Sequence, residues 1–361
     1  RVIKYMKKEK DKLVIIGATD FQNQLIMKAK EKGYETHVFA WECGDIGEKT
    51  ADYFYPISIV EKEEILKKCQ EIQPCGIVSI ASDLANITVN YVAEKMGLCC
   101  NGITATEMST NKHIMRQIFE ENQLPSPKSK MIRSVEECRD IDMDLPLIVK
   151  PTDRSGSRGI YKIDDYSQMG AAVELALKES FEKKVMIEEF AEGDEYSIEY
   201  ISYEGRHHFL NITKKYTTGA PNFIETAHME PSDLSEDMVE NVKRIIEKSL
   251  DALQIQYGAS HSEVKIDENG NIKIIEIGSR MGGDCIGSDL VYLSTGYDFV
   301  ANVIDVACGK EPDLSDVGKM QYSAIRFIFD EQDMKNLEWV KAHYENSIYR
   351  ISDIEKIDSR K

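Results

Sequence analysis

Short apolar runs alternate with amphipathic stretches over residues 12–105, and this alternation restricts the first third of the chain to one kind of sheet. KLVIIGATD (12–20) closes on Gly17 and reads as a buried strand and its turn. NQLIMKAKEKG has helical spacing and stops at Gly33, ETHVFAW follows as a strand, and the helix EKEEILKKCQEIQ, the strand GIVSIAS and the helix ANITVNYVAEKMG continue the series. Strands joined by helices lie parallel with both faces covered, so an α/β, Rossmann-like parallel sheet is expected within residues 1–110. A single glycine, Gly17, follows the first strand where a dinucleotide fingerprint needs three, so NAD is not expected.

The rest of the chain has a different rhythm. A helix opens at TNKHIMRQIFEENQ and ends before Pro125 and Pro127. LPLIVKP (145–151) and GIYKID (159–164) read as strands flanking a Gly/Ser-rich tip, and a helix spans about 167–180. Residues 184–216 alternate apolar and polar side chains and read as one antiparallel meander. A long helix fits 234–253, and the strands ASHSEVKID and IKIIEIGS are joined by the turn ENGN (268–271). A helix near 297–307 precedes a short C-terminal part, 308–361, whose YSAIRFIF is a strand able to complete a sheet.

At 361 residues the chain is too long for one core and implies two or three domains. Its net charge of −18 argues against nucleic acid or an anionic membrane as partner, yet is compatible with a phosphate ligand held by a few local cations. No apolar run approaches the roughly 18–20 residues that cross a bilayer, and the charged start does not read as a signal peptide. Eight cysteines are scattered without a CxxC pair, which reads as reduced thiols in the cytoplasm.

Three features point to chemistry on an anion. Ser155, Gly156, Ser157 and Gly159 form a small-residue loop with Lys150 ahead of it, where backbone amides can approach a phosphate. Glu263 and Glu276 lie on adjacent strands and, counted back from the turn, can face each other; two like charges so close need a cation such as Mg²⁺ or Mn²⁺ between them. Arg280 and the Gly282–Gly283 pair leave the second strand, where an arginine can stabilise charge on a transferring phosphoryl group. Taken singly, each also fits an ordinary turn, a pair of solvent-facing glutamates or a surface arginine.

Their order along the chain resembles the ATP-grasp family from about residue 12 to 308. The resemblance implies a Rossmann-like pre-ATP-grasp domain (1–110), an ATP-grasp domain of two α+β subdomains (111–307) and a short C-terminal part (308–361). Within the ATP-grasp domain a small lid of about 128–190 precedes a larger subdomain of about 191–307. It assigns Lys112 and Lys150 to the phosphates of ATP, Ser155 to Gly159 to the loop that folds over them, and Glu188, Glu189, Phe190 and Ala191 to the adenine. Glu195 matches the acid that takes the ribose hydroxyls, Glu263 and Glu276 the Mg²⁺ (or Mn²⁺) ligands, and Arg280, with Lys150, the catalytic positions. Many members read Glu-x-Asn on the second metal strand; here that position is Gly278.

Residues 213–234 and 258–296 resemble the branch of L-amino-acid ligases and carnosine-synthase-like enzymes. This implies an ADP-forming ligase that activates a small carboxylic acid, expected to be an amino acid, as an acyl phosphate and joins it to an amine. Arg280, Gly282 and Gly283 would hold the substrate carboxylate, and Glu225, His228 and Asp284 its amino group. Phosphoribosylglycinamide-synthetase-type and carbamoyl-phosphate-synthase-like enzymes share the same ATP machinery, and a nucleotide-binding module without turnover is a third reading. Small molecules are the expected partners, with a homodimer among the expectations.

Overall fold

The computed structural model describes residues 10–154, 159–219, 223–315 and 320–352. The chain begins β1 (Lys12–Ile16), α1 (Asp20–Glu31), β2 (Glu35–Phe39), α2 (Ile46–Thr50), β3 (Tyr53–Tyr55), α3 (Lys62–Ile72), β4 (Gly76–Val78) and α4 (Asp83–Met96). The four strands form one parallel sheet in the order β3-β2-β1-β4. Strand order reverses beside β1, and in open parallel sheets ligands gather beyond the strand ends at such a switch point. The N-terminus of α4, capped by the Ser82 hydroxyl accepting from the Ala85 amide, lies just past β4. Asp83 is therefore the first helical residue after that strand.

Helices α5 (Gly102–Thr110) and α6 (Lys112–Glu121) lead away from this sheet. Asn111 caps α6, its side chain accepting from the amides of His113 and Ile114, and this fixes Lys112 at the first helical position. The strands β5 (Ser129–Ile132), β6 (Leu147–Pro151) and β7 (Tyr161–Ile163), the helix α7 (Met169–Glu179) and the strand β8 (Val185–Glu189) follow. They build an antiparallel four-stranded sheet, order β5-β8-β6-β7, with α7 packed on it through Met169, Val173 and Ala176. β6 and β7 flank the small-residue loop as antiparallel neighbours, Val149 opposite Tyr161.

The chain then enters a second antiparallel sheet. Its elements are β9 (Asp194–Tyr203), β10 (Arg206–Thr217), β11 (Glu225–Glu230), α8 (Glu236–Ala252), β12 (Gly258–Ile266) and β13 (Ile272–Gly278). After α9 (Val291–Thr295) and α10 (Phe299–Ala307), β14 (Ser323–Arg326) completes the order β13-β12-β9-β10-β11-β14, and α11 (Glu331–Tyr344) follows. The YSAIRFIF segment thus does add a strand, pairing antiparallel with β11. Helix α8 covers one face with a stripe of Val242, Ile246 and Leu250, each fully buried and worth about 1.5–3 kcal/mol of burial. The other face meets the parallel sheet's core through Ile201 and Ala259. Among the described residues no helix is long and apolar enough to cross a membrane.

One expectation needs correcting. Residues 184–216 are not a single meander: β8 belongs to the four-stranded sheet, between β5 and β6, and β9 to the six-stranded one. Both strands alternate apolar and polar residues, so periodicity alone does not reveal the change of sheet. The crossing runs through residues 190–193, where Gly193 has φ +107° and a Cβ would run into the Ile266 carbonyl. Gly193→Ala should therefore destabilise the protein by about 2–4 kcal/mol, read as a lowered urea midpoint. An unchanged midpoint would show that this crossing tolerates a side chain.

Candidate functional site

A cleft lies between the two antiparallel sheets and reaches the first residues of α4 and α6. Its lining is divided by chemistry. Ile148, Ile160, Phe190, Phe223 and Ile275 supply apolar surface, with the Phe190 and Phe223 rings 6.3 Å apart. Lys112, Lys150, Glu263, Glu276 and Arg280 supply charge, as do Asp83, Glu195 and His261. A flat apolar base and a polyanion need two such environments side by side.

Glu263 on β12 stands directly opposite Glu276 on β13. At the turn Ile266 pairs with Ile272, a register that would put Glu263 opposite Ile275; a one-residue shift between Val264 and Glu263 brings the two glutamates face to face, as expected from the sequence. Each carboxylate has a separate buried lysine: Glu276 Oε1 lies 2.5 Å from Lys112 Nζ, and Glu263 Oε1 lies 2.7 Å from Lys215 Nζ. Burial alone would raise the Glu263 pKa, yet Lys215 and His261 hold it well below the usual carboxylate range. Carboxylate oxygens in this number and pairing suit a hard divalent cation such as Mg²⁺.

Lys150 on β6 reaches across to Glu188 on β8, both buried. Arg116 from α6 takes the other oxygen, Nε to Oε2 at 3.1 Å, and donates to the Ile275 carbonyl at 2.7 Å. Burial pulls the Lys150 pKa below its ordinary value despite Glu188; burial acts the opposite way on Glu188, which the Arg116 and Lys150 charges hold low. The Glu188 side chain is thus committed to two cations. Glu189 accepts from the Lys128 amide at 3.1 Å, so the lining offered by 188–191 is chiefly Phe190 and main chain.

Arg280 is clamped by a residue of the parallel sheet's domain. Its Nε and Nη2 donate to the two oxygens of Asp83 at 2.8 and 3.2 Å. Gly278 explains itself at this contact: a Cβ there would lie 3.2 Å from Asp83 Oδ1 and 3.4 Å from Arg280 Nε. A larger residue would press on the ion pair. Gly282 departs from expectation, because its amide already donates to Glu199 Oε2 at 3.3 Å instead of facing a ligand, and a Cβ would meet His261 Nδ1 at 2.6 Å. Gly283 has room, with Ala81 Cβ at 3.7 Å. His261 bonds Glu199 through Nδ1; burial opposes protonation, but Glu199 pushes the pKa up to about 9.

Glu225, His228 and Asp284 do come together: one carboxylate oxygen from each acid and a ring nitrogen lie within 4.8 Å of one another. Lys215 was not anticipated. Its ammonium lies 3.1 Å from Glu195, 2.6 Å from Glu225 and 2.7 Å from Glu263, and although burial pulls its pKa down, these carboxylates raise it well above the ordinary lysine value. Asn211, Thr213 and Lys215 share one face of β10, a polar row between Leu210 and Ile212, which are buried too; that polar row is the sequence signal that could have found it. Asp83 and Arg116 were also missed; Asp83 is legible as the residue after β4 at the switch point. Of the small-residue loop, Ser155, Gly156 and Ser157 lie outside the described residues, and Gly159 adopts φ +73° where the chain returns to β7.

Comparison with known proteins agrees with this geometry. A family model described as an ATP-grasp domain matches residues 143–289. The alanine–anticapsin ligase of Bacillus subtilis is 28% identical over 308 residues, 75% of this chain, and the match spans 65% of that relative's length. Among solved structures, an L-amino acid ligase from Bacillus licheniformis superposes with a TM-score of 0.77 at 23% identity, covering 91% of this chain and 85% of the other. Phosphoribosylglycinamide synthetase from Anaerococcus prevotii gives 0.75 at 22% identity, covering 89% and 82%. The segment that carries Lys150, both paired glutamates and Arg280 is an ATP-grasp domain, and the protein has the fold that goes with it.

Proposed function

We propose that this protein is an ADP-forming carboxylate–amine ligase acting on an amino acid. One observation carries the reading: Lys112, Lys150, Glu263, Glu276 and Arg280 arrive from four separate regions of the chain and line one cleft together with Ile148, Ile160, Phe190 and Phe223. The 28% identity to an alanine–anticapsin ligase supports the amino acid as substrate class.

In this reading the Ile148, Ile160 and Phe190 side takes the adenine, and Glu195 the ribose. Lys112 and Lys150 bind phosphate oxygens. Glu263 and Glu276 would hold Mg²⁺ (or Mn²⁺), which supplies positive charge to the phosphates when bound. A substrate carboxylate oxygen then attacks the γ-phosphorus, the bond to the bridging oxygen breaks, and ADP leaves. The amine attacks the acyl carbon, phosphate departs with the C–O electron pair, and the amine proton passes to solvent or phosphate. Arg280, held bidentately by Asp83, faces charge on the transferring group. Glu225, His228 and Asp284 receive the substrate's ammonium end.

The deciding experiment is ADP release with Mg-ATP and the common amino acids, singly and in pairs, beside a phosphoribosylamine-plus-glycine reaction. Release that depends on one amino-acid pair is expected; release only with phosphoribosylamine and glycine would move the protein to purine synthesis. Glu276→Gln should abolish turnover while the circular dichroism spectrum is kept, and full activity would refute the metal assignment. Lys150→Ala should weaken nucleotide binding by about 1–3 kcal/mol in calorimetry.

Lys215 yields a stability prediction. Glu263 and Glu225 are held below the ordinary carboxylate value of 4.5, with Lys215 among the causes, so the folded state binds fewer protons there than the unfolded chain. Their contribution is complete above pH 4.5 and is lost as pH falls further. Lys215→Met leaves three buried or half-buried acids without their shared cation and should cost about 3–5 kcal/mol at pH 7. Thermal melts of the variant should gain stability between pH 7 and pH 5, and a flat profile would argue against the three-way pairing.

A further inference from the structure

We propose that Cys75 and Cys308 close to a reversible disulfide by exchange with a small-molecule disulfide such as oxidised glutathione, with Cys308 as the attacking sulfur. The inference stands apart from the ligase reading and does not depend on it.

The fold brings the two sulfurs together from 233 positions apart in the chain, Sγ to Sγ at 3.3 Å. Cys75 stands just ahead of β4 and Cys308 just after α10. Gly76 makes the approach possible: a Cβ there would lie 2.6 Å from the Ala307 carbonyl oxygen and 3.1 Å from the Cys308 nitrogen. With the main chains in contact, drawing the sulfurs to the bonded distance of about 2.05 Å asks for a shift of two side chains rather than of two domains. Neither cysteine is fully buried, so a small oxidant has access to the pair.

Packing alone can set two thiols side by side, but here each has the opposite kind of partner. Cys75 Sγ has the Lys12 carbonyl oxygen at 3.2 Å, an acceptor that favours the protonated thiol. Cys308 has donors: the Tyr34 hydroxyl bonds its sulfur, and Lys310 Nζ donates to that hydroxyl at 2.8 Å. The Cys75 thiol, then Tyr34 and the Lys310 charge, pull Cys308 below the ordinary thiol pKa against the effect of burial, whereas each of the other seven cysteines is pushed above it. A thiolate beside a protonated thiol is the arrangement for attack followed by resolution. Among the described residues no third histidine, cysteine or carboxylate completes a metal site around the two sulfurs.

The Cys308 thiolate attacks one sulfur of the glutathione disulfide, and that S–S bond breaks with one glutathione leaving as thiolate. Cys75 then gives up its proton to solvent and attacks the Cys308 sulfur, displacing the second glutathione thiolate. Two protein thiols are oxidised, and one disulfide is reduced to two thiols. The new bond ties the start of β4, whose far end leads to Asp83, to α10. Val300, Val303 and Ile304 of that helix share a core with the parallel sheet and with Ile201 and Ala259 of the six-stranded sheet.

The test treats the full chain with oxidised glutathione, traps the remaining thiols with N-ethylmaleimide, and reads the intact mass and the linked peptides. The expected product has lost one pair of trapped thiols to a single cross-link, Cys75 to Cys308, and dithiothreitol reverses it. Its thermal midpoint should rise by about 5 °C or more, because the bond closes a long loop. Cys75→Ser should hold a stable glutathione adduct on Cys308, whereas Cys308→Ser should hold none on Cys75. Tyr34→Phe, which keeps the ring packing, should slow cross-linking about threefold: less thiolate forms, and its greater nucleophilicity offsets part of the loss. All eight thiols trapped after oxidation, or a cross-link through Cys99 or Cys100 instead, would overturn the proposal. So would an adduct on Cys75 in place of Cys308, an unchanged rate in Tyr34→Phe, or a midpoint that does not move.

Discussion

The site depends on keeping like charges apart in a space too small for them. Glu195, Glu225 and Glu263 present oxygens within 4.8 Å of one another, and Glu276 faces Glu263 across the hairpin. Carboxylates so crowded and so buried would ionise only at great cost without cations among them. Lys215 supplies one ammonium to three of them, and Lys112 neutralises the fourth. The sheets can therefore bring these acids together before any ligand arrives, and the site is organised in advance rather than assembled on binding.

The parallel sheet takes part in that organisation. Asp83 leaves the switch point between β1 and β4 and accepts from the Nε–Nη2 edge of the Arg280 guanidinium, so the arginine's direction is fixed by a part of the chain that contributes little else to the charged cleft. Gly278 is the necessary counterpart, since any side chain would crowd that ion pair. Where many ATP-grasp sequences place an asparagine, this protein has space filled by an interdomain contact.

How much of this was legible depended on how locally each feature is encoded. Counting back from a four-residue turn puts Glu263 opposite Glu276, and the strands reach that pairing through a bulge between Val264 and Glu263 that the sequence does not announce. Lys112 is legible as the opening of a helix, which Asn111 caps. The alternating strands and helices before residue 100 likewise implied their parallel sheet. What could not be read lay in the meeting of distant segments. Lys215 looks like any lysine of an amphipathic strand until β9, β11 and β12 surround it with acids, and Arg116 looks like a surface arginine of α6 until β8 and β13 cover it. The division of residues 184–216 between two sheets was hidden for a related reason. A period of two states that a segment is a strand and which side is apolar, but not which sheet receives it. The Gly282 amide was misjudged because its partner, Glu199, comes from a strand far away in sequence.

In the proposed ligase, the two lysines assigned to the phosphates differ in what each leaves behind. Lys150 shares Glu188 with Arg116, so when Lys150 turns to a phosphate oxygen, Glu188 keeps a guanidinium at 3.1 Å and no acid is orphaned. Lys112 has no such understudy: among the described residues Glu276 pairs with it alone. Freeing Lys112 for a phosphate requires another positive charge at Glu276, and a divalent cation brings it. In that reading nucleotide and metal are coupled through one carboxylate. On the proposed assignment Lys150 can engage ATP independently, whereas Lys112, at the start of α6, does so favourably only when the cation comes too.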